Sequence, residues 1–244
     1  MTDASPDRQP HATLDLPSRR LKGRKIERLL NLPDGGEMPR VLEIGAGSGG
    51  ISHYFATGAS RRYKVEAVDV VDNRQNAEGY GFRLIDGTDL PYPDTCMDVV
   101  ISNHVIEHVG GEHEQSNHLA EIRRVMKRDG VGYLAVPNRW MVVEPHYRLA
   151  FLSWWPEGMR SGWLRLWRKG KHYDCRPLSR RHIERLLDQA RLRYEQLHGE
   201  ALVAILDIER PGTFAGFVMK RVPAAVWRRI RGIFPTLIYR VRRA

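Results

Sequence analysis

An α/β fold with a mostly parallel sheet is what this sequence predicts, on three observations. Short apolar runs recur along the chain at Val41–Ile44, Lys64–Val68, Phe82–Ile85, Met97–Ser102 and Val131–Val136. Segments that read as helices, Gly50–Ala56 and His118–Met126, fall between them. The first run leads into a glycine-rich turn, Gly45-Ala46-Gly47-Ser48-Gly49-Gly50, which opens the first of those helices. Short buried strands alternating with helices make a Rossmann-like sheet covered on both faces.

The 244 residues suffice for one domain with additions. Residues 1–17 are polar and proline-rich, so a disordered tail is expected there. Leu21, Ile26, Leu29 and Leu30 then share a helical face in a leading helix over 18–31, ended by Asn31 and Pro33. The domain is expected to span 18–220. Residues 138–176 break its rhythm and hold five of the six tryptophans, Trp140, Trp154, Trp155, Trp163 and Trp167. This insertion follows the fifth strand, on the side where open α/β sheets bind ligands. It reads equally as an aromatic lid and as a small satellite core. Afterwards Ser179 can cap a helix to about Ala190, Tyr194–His198 reads as a strand, and Gly212–Lys220 reads as a last strand, a candidate for antiparallel pairing.

The net charge of +10 is unevenly placed. Residues 139–176 carry eight Lys/Arg against three acids, and residues 221–244 carry seven Arg and no acid. The remainder is close to neutral, which speaks against a basic nucleic-acid face on the working surface. In 222–244, Val226, Trp227, Ile230, Ile233, Phe234, Leu237, Ile238 and Val241 fall on one side at helical spacing. Arg228, Arg229, Arg231, Arg240, Arg242 and Arg243 fall outside it, while Gly232 and Pro235 weaken the helix. The tail reads as a basic amphipathic helix that lies on an anionic membrane surface or docks on the domain. No apolar leader or membrane span is visible, so the expected address is cytoplasmic, with peripheral attachment to the inner membrane open. Cys96 and Cys175 have no zinc-ligand spacing, and no metal is expected.

Three carboxylates carry the chemistry. Glu43 stands two residues before the first glycine of the turn. A dinucleotide would set a doubly negative pyrophosphate there and be repelled, whereas a cationic ligand suits it. Gly45, Gly47 and Gly50 also satisfy the dinucleotide pattern, so the glycines alone do not choose. Asp69 closes the second strand, where a carboxylate can accept both hydroxyls of a ribose. Asp86 follows the third strand in Phe82-Arg83-Leu84-Ile85-Asp86-Gly87-Thr88-Asp89-Leu90, and Met97-Asp98-Val99-Val100-Ile101-Ser102-Asn103-His104-Val105-Ile106-Glu107-His108 comes next.

With these four motifs in order, the chain resembles the class I S-adenosylmethionine-dependent methyltransferases, in particular the type 11 group that includes ubiquinone and menaquinone biosynthesis enzymes. The resemblance covers residues 38–137 well and 177–220 loosely. It implies S-adenosyl-L-methionine as cofactor. Its methionine portion would lie on Glu43 and on Gly45, Ala46, Gly47, Ser48 and Gly49, and its ribose on Asp69 and Val70. The adenine would lie on Asp86, Gly87 and Thr88, with Asn103 and His104 against the methionine end. Family members often carry Asp where this chain has Glu43. Methyl transfer from a sulfonium needs alignment first and a base only where the acceptor must lose a proton. His104, Glu144 and His146 are the candidates for that role, and His108 fits better as a packing residue. The expected acceptor is a small molecule or a lipid-like one, methylated on oxygen or carbon. An RNA methyltransferase and a non-catalytic binding protein on the same fold are the alternatives.

Overall fold

The structure, a computed structural model, describes residues 15–32, 37–144, 147–173, 175–209, 212 and 234–244. Five strands pair in parallel: β1 (Arg40–Ile44), β2 (Lys64–Asp69), β3 (Gly81–Leu84), β4 (Met97–Asn103) and β5 (Met126–Pro137). Their order is β3-β2-β1-β4-β5. The chain therefore reverses its progress across the sheet between β1 and β4, and such a switch opens a crevice at the carboxyl ends of the strands. All five strands expected from the sequence are present, with β5 beginning at Met126 rather than Val131.

The helices cover both faces because the strands are apolar on both. Val41, Val99, Ile101, Tyr133 and Ala135 pack on one side under α1 (Leu16–Leu30) and α2 (Gly50–Thr57). Leu42, Ile44, Val100, Leu134 and Val136 pack on the other under α3 (Glu112–Val125). The alternation follows from the period of two along a strand. α1 starts at Leu16, two residues before the expected helix, with a proline in its first turn where a missing amide costs nothing. α3 carries Glu112 and Glu114 in its first turn and Arg123 and Arg124 in its last, each sign at the helix end it suits.

The insertion leaves at the carboxyl end of β5. Its two ends are zipped together: Asn138 bridges Leu178, and the Arg139 amide donates to the Leu178 carbonyl at 3.0 Å. Between them lie a short hairpin, β6 (Val143–Glu144) and β7 (Leu149–Ala150), and the helix α4 (Glu157–Leu166). Tyr147, Leu149, Leu152, Leu164, Tyr173 and Cys175 form a small core of their own. A satellite core is thus present. It is built on leucine and tyrosine, with Trp163 partly buried against it and Trp140, Trp154 and Trp167 exposed.

The chain then returns through α5 (Arg180–Gln189), β8 (Leu192–Gln196), α6 (His198–Ile208) and β9 (Thr236–Arg243). Ser179 caps α5 as expected, accepting the His182 amide at 3.3 Å. The eighth strand begins two residues before its expected start. The last strand corrects the sequence reading. β9 lies between β5 and β8, antiparallel to both, so residues 236–243 are an inner strand of the sheet and no amphipathic helix. Leu237, Tyr239 and Val241 enter one core and Ile238 the other. Arg240 donates to the Leu29 carbonyl at the end of α1 and pairs with Glu195, and Arg243 donates to the Met126 carbonyl. These arginines are committed to the fold, and the domain extends to 243. Phe234 stands before β9, where its carbonyl accepts from the Asn138 side chain at 2.9 Å, while Val226 to Ile233 of the expected tail helix, and the strand expected over Gly212–Lys220 apart from Gly212 itself, lie outside the described residues.

Candidate functional site

The glycine turn is held by its own amides. Gly45 and Ala46 donate to the Val68 carbonyl at 2.9 and 3.2 Å, and Gly49 donates to Ala46 at 2.9 Å. Gly47 donates to Asp69 Oδ2 at 2.8 Å. Gly45, Gly47 and Gly49 all have positive φ, at 76°, 53° and 76°. At Gly45 a Cβ would sit 2.5 Å from Val105 Cγ2, so this backbone has no room for a side chain. A pyrophosphate cradle needs free amides. Four of the amides in this turn already have protein acceptors.

Glu43 is 2% exposed and accepts the Ser52 hydroxyl from α2 in a short hydrogen bond. Burial pushes its carboxyl up to about 8, against the opposing pull of Ser52 and of the Arg19 guanidinium. Arg19 comes from α1, which packs so closely that a Cβ on Gly50 would lie 2.6 Å from Arg19 Cβ. Sequence reading missed both partners: Arg19 stands on a separate helix far from the motif, and Ser52, although on the helix that the motif opens, carries no local sign that it turns back to Glu43. The Ser48 hydroxyl is buried and has no hydrogen-bond partner among the described residues.

Asp69 spans the turn and the strand beyond it, taking Gly47 N–H on Oδ2 and Val70 N–H on Oδ1, the latter at 2.7 Å. A carboxylate has about four acceptor sites, so both oxygens keep capacity for ribose hydroxyls. Asp86 is exposed at the end of β3, and Gly87 has φ 77° with open space on its side-chain face. Thr88 and Asp89 are fixed from α3 by Asn117, whose amide donates to them at 2.8 and 3.1 Å. Asn117 was not legible either, since it lies 29 residues from Thr88.

Beyond β4, Asn103 ends the strand and His104 takes φ 59°, with its amide on the Ala135 carbonyl at 2.9 Å. A non-glycine residue held in this region is strained, and such strain gathers at functional sites. Glu107 is wholly buried below it, with Oε1 at 3.3 Å from His104 Nδ1 and 3.9 Å from His108 Nε2. Burial works against the charge of Glu107, but the attraction of His104 and His108 holds its carboxyl below the usual range. His108 also lies 3.8 Å from the Cys175 thiol, in keeping with a packing role. Because Arg176 donates to the Glu107 carbonyl at 2.9 Å, the insertion is seated directly on this loop.

Glu144 does not reach out toward an acceptor. It is buried and accepts the Tyr147 amide at 2.8 Å, bracing its own hairpin. That geometry corrects its expected catalytic role. His146 lies outside the described residues.

Comparison with known proteins agrees with this layout. Residues 42–134, which contain the turn, Asp69, Asp86 and the loop after β4, match the type 11 methyltransferase domain family. The matched stretch runs from β1 to β5, the parallel core of the sheet, and is what in this chain resembles a methyltransferase domain. The glycine/sarcosine/dimethylglycine N-methyltransferase of Actinopolyspora halophila is 32% identical over 116 residues, covering 44% of this chain. The chain spans about a fifth of the length of that relative, as the match covers 20% of it. Among solved structures, a complex of the Haloferax volcanii Trm112 methyltransferase activator with a putative methyltransferase aligns with TM-score 0.55 and 18% identity. The alignment covers 92% of this chain and 90% of the other. The 1,6-didemethyltoxoflavin-N1-methyltransferase of Burkholderia thailandensis, solved with S-adenosylhomocysteine, aligns with TM-score 0.52 and 15% identity over 92% and 78% of the two chains. At these identities the structural likeness concerns the fold alone.

Proposed function

We propose that this protein transfers a methyl group from S-adenosylmethionine to a small-molecule or lipid-like acceptor. The observation that carries the reading is the glycine turn, whose amides are spent on Val68, Ala46 and Asp69 while carboxylates flank it. Such a turn is poor for a diphosphate and suits a cationic nucleoside. The residues fit the cofactor on other grounds too. Glu43, which a neighbouring ammonium would drive to its charged form, and the Arg19 guanidinium stand at one turn, matching the ammonium and carboxylate of a methionine portion. Asp69 retains acceptor sites for the ribose, and Asp86 stands open for an adenine amine. The name of the halophilic relative supports a small acceptor, and the exposed aromatic insertion supports a lipid-like one. The domain is expected to act in the cytoplasm or on the inner membrane face.

When bound, the cofactor supplies the activated methyl group, and the protein supplies alignment and dry surroundings. His104 takes the acceptor proton where one must leave, through Nε2, since Nδ1 faces Glu107. Glu107 is then a positioning residue that fixes the ring. Incubation of labelled S-adenosylmethionine with small-molecule, membrane-lipid, sugar-lipid and RNA fractions should place label in the first three classes. Label in RNA alone would overturn the acceptor assignment. With the labelled acceptor, His104→Ala is expected to slow turnover by about 10²- to 10⁴-fold while cofactor affinity stays within a few-fold. An unchanged rate would leave alignment as the whole of catalysis.

Glu43 makes cofactor binding a proton-linked event. Its carboxyl is held up at about 8 in the free protein, so it is mostly protonated at pH 6.5. An ammonium beside it favours the charged form, so binding should release a proton, and affinity should rise with pH toward 8. Calorimetry at pH 6.5 in buffers of different ionisation enthalpy is expected to show release of about one proton. Glu43→Gln should abolish that release. Release that persists in the variant would assign the proton elsewhere.

A further inference from the structure

The helix α4 is built inside out. Its inner side carries Leu164, buried in the satellite core with Tyr147, Leu152 and Tyr173, and Arg160, buried with its guanidinium 5.8 Å from the Tyr173 ring. Met159, Trp163, Leu166 and Trp167 fall on an adjoining arc of about 100°. Met159, Leu166 and Trp167 of this arc are 53%, 71% and 54% exposed. Leaving such residues in water is unfavourable, and the protein has no need of them to close its core.

A second apolar group lies alongside in sequence. Trp140, Phe151 and Trp154 touch edge to face at ring centroid distances of 5.8 and 5.0 Å, and all three rings are exposed. Trp155, next to Trp154 in the chain, lies tilted against Trp163 of α4 at a centroid distance of 5.0 Å. Eight of the thirteen exposed large hydrophobic residues among those described lie between Trp140 and Trp167. The same insertion exposes Arg148, Arg165, Arg168, Lys169 and Lys171.

We infer that the insertion is a membrane-contact surface, which lays its tryptophans, Phe151, Leu166 and Met159 into the interface of an anionic bilayer while its arginines and lysines meet the headgroups. Charge decides for a lipid surface over a second copy of the chain. The patch is basic, and a self-complementary contact would bring like charges together. Tryptophan is also the side chain best suited to the boundary between headgroup and hydrocarbon, being apolar with one polar N–H. The surface takes over the role that the sequence suggested for the C-terminal tail, whose residues 236–243 are locked in the sheet.

Position gives this surface a use. The insertion rises from the carboxyl end of β5, the edge that carries Glu43 and Asp69 at the ends of β1 and β2, and its return segment rests on Glu107 and His108. A bilayer held there brings a lipid-linked acceptor to the side of the domain where His104 stands. That use rests on the methyl-transfer reading, whereas the binding itself does not.

The test is co-sedimentation of the full chain with phosphatidylcholine vesicles, with and without phosphatidylglycerol, at two salt concentrations. Binding is expected only with phosphatidylglycerol and is expected to weaken with salt. The double variant Leu166→Glu and Trp167→Glu should lose binding by at least about tenfold, and Arg165→Glu with Arg168→Glu should do the same. Circular dichroism and S-adenosylhomocysteine binding of each variant show whether the fold and the cofactor site are intact, so failure of the methyl-transfer reading would be seen separately. Three outcomes would overturn the proposal. They are absence of vesicle binding, binding that both variants retain, and a lipid-free dimer that the Leu166/Trp167 variant dissolves.

Discussion

A chain ended at Pro235 is expected not to fold: circular dichroism should show loss of the native signal, and heating should give no cooperative transition. The last nine residues look expendable as sequence, being basic and terminal. In the structure they supply β9, which holds β5 and β8 on its two sides. Leu237 and Tyr239 are 0% exposed, and Ile238 and Val241 are also buried. Each such side chain is worth roughly 1.5–3 kcal/mol on burial, and the four together approach the whole of a typical domain's stability of about 5–15 kcal/mol. Removal also strips the antiparallel ladder from Gly132–Pro137 and leaves two edges open to aggregation. Tyr239→Ala is the milder form, with an expected loss on the order of 3–5 kcal/mol in denaturant unfolding. A truncated chain that melts cooperatively near the full-length temperature would show that β9 is dispensable.

Asp69→Asn is expected to remove cofactor binding with the fold left standing. The change keeps shape and loses charge, so the ribose hydroxyls would meet one acceptor oxygen in place of two. It also turns an amide N–H₂ toward either Gly47 or Val70, whose N–H groups the carboxylate now receives at 2.8 and 2.7 Å. Hydrogen bonds to a charged group contribute about 1.5–3 kcal/mol each, so the loss of one and the weakening of the other predict a fall in affinity of roughly a hundredfold. Thermal shift with S-adenosylhomocysteine checks both halves at once. The wild type should be stabilised in proportion to ligand, and the variant should melt normally and ignore it. An equal shift in the two proteins would take Asp69 out of the ribose site.

The parallel half of the sheet was legible because strands buried on both faces carry adjacent apolar residues, as Val41-Leu42, Ala67-Val68, Val99-Val100-Ile101 and Leu134-Ala135-Val136 do. The C-terminal strand misled for a definable reason. Leu237 and Val241 are four apart, a spacing that satisfies both the helical period of 3.6 and the strand period of 2. The deciding pattern was the alternation of Leu237, Tyr239 and Val241 with Ile238, Arg240 and Arg242, just after a proline that ends a helix more easily than it continues one. Alternation in a basic segment is easily taken for a solvated helix when the strand's charged side has unseen partners, here Glu195 and the Leu29 carbonyl.

Within the site, Glu43, Asp69 and Asp86 could be read because each stands at the end of its own strand, where function and local sequence coincide. Their partners could not. Ser52, Arg19 and Asn117 reach the site from helices, and nothing in the local sequence tells which turn of α1, α2 or α3 will face it. Glu107 is an intermediate case, since its spacing of three from His104 was visible, but its burial under the loop was not. Glu144 precedes a proline in a short hairpin, and its commitment to the Tyr147 amide is what a turn-bracing carboxylate looks like once folded.

The central claim is that the cleft between β1 and β4 selects a positively charged thioether nucleoside over a dinucleotide. A side-by-side calorimetric titration of the full chain with S-adenosylmethionine, S-adenosylhomocysteine and NAD tests it most directly. Saturable one-site binding of the first two, with no heat from NAD, is the expected result. Binding of NAD, or silence from all three ligands in a protein that is demonstrably folded, would contradict it.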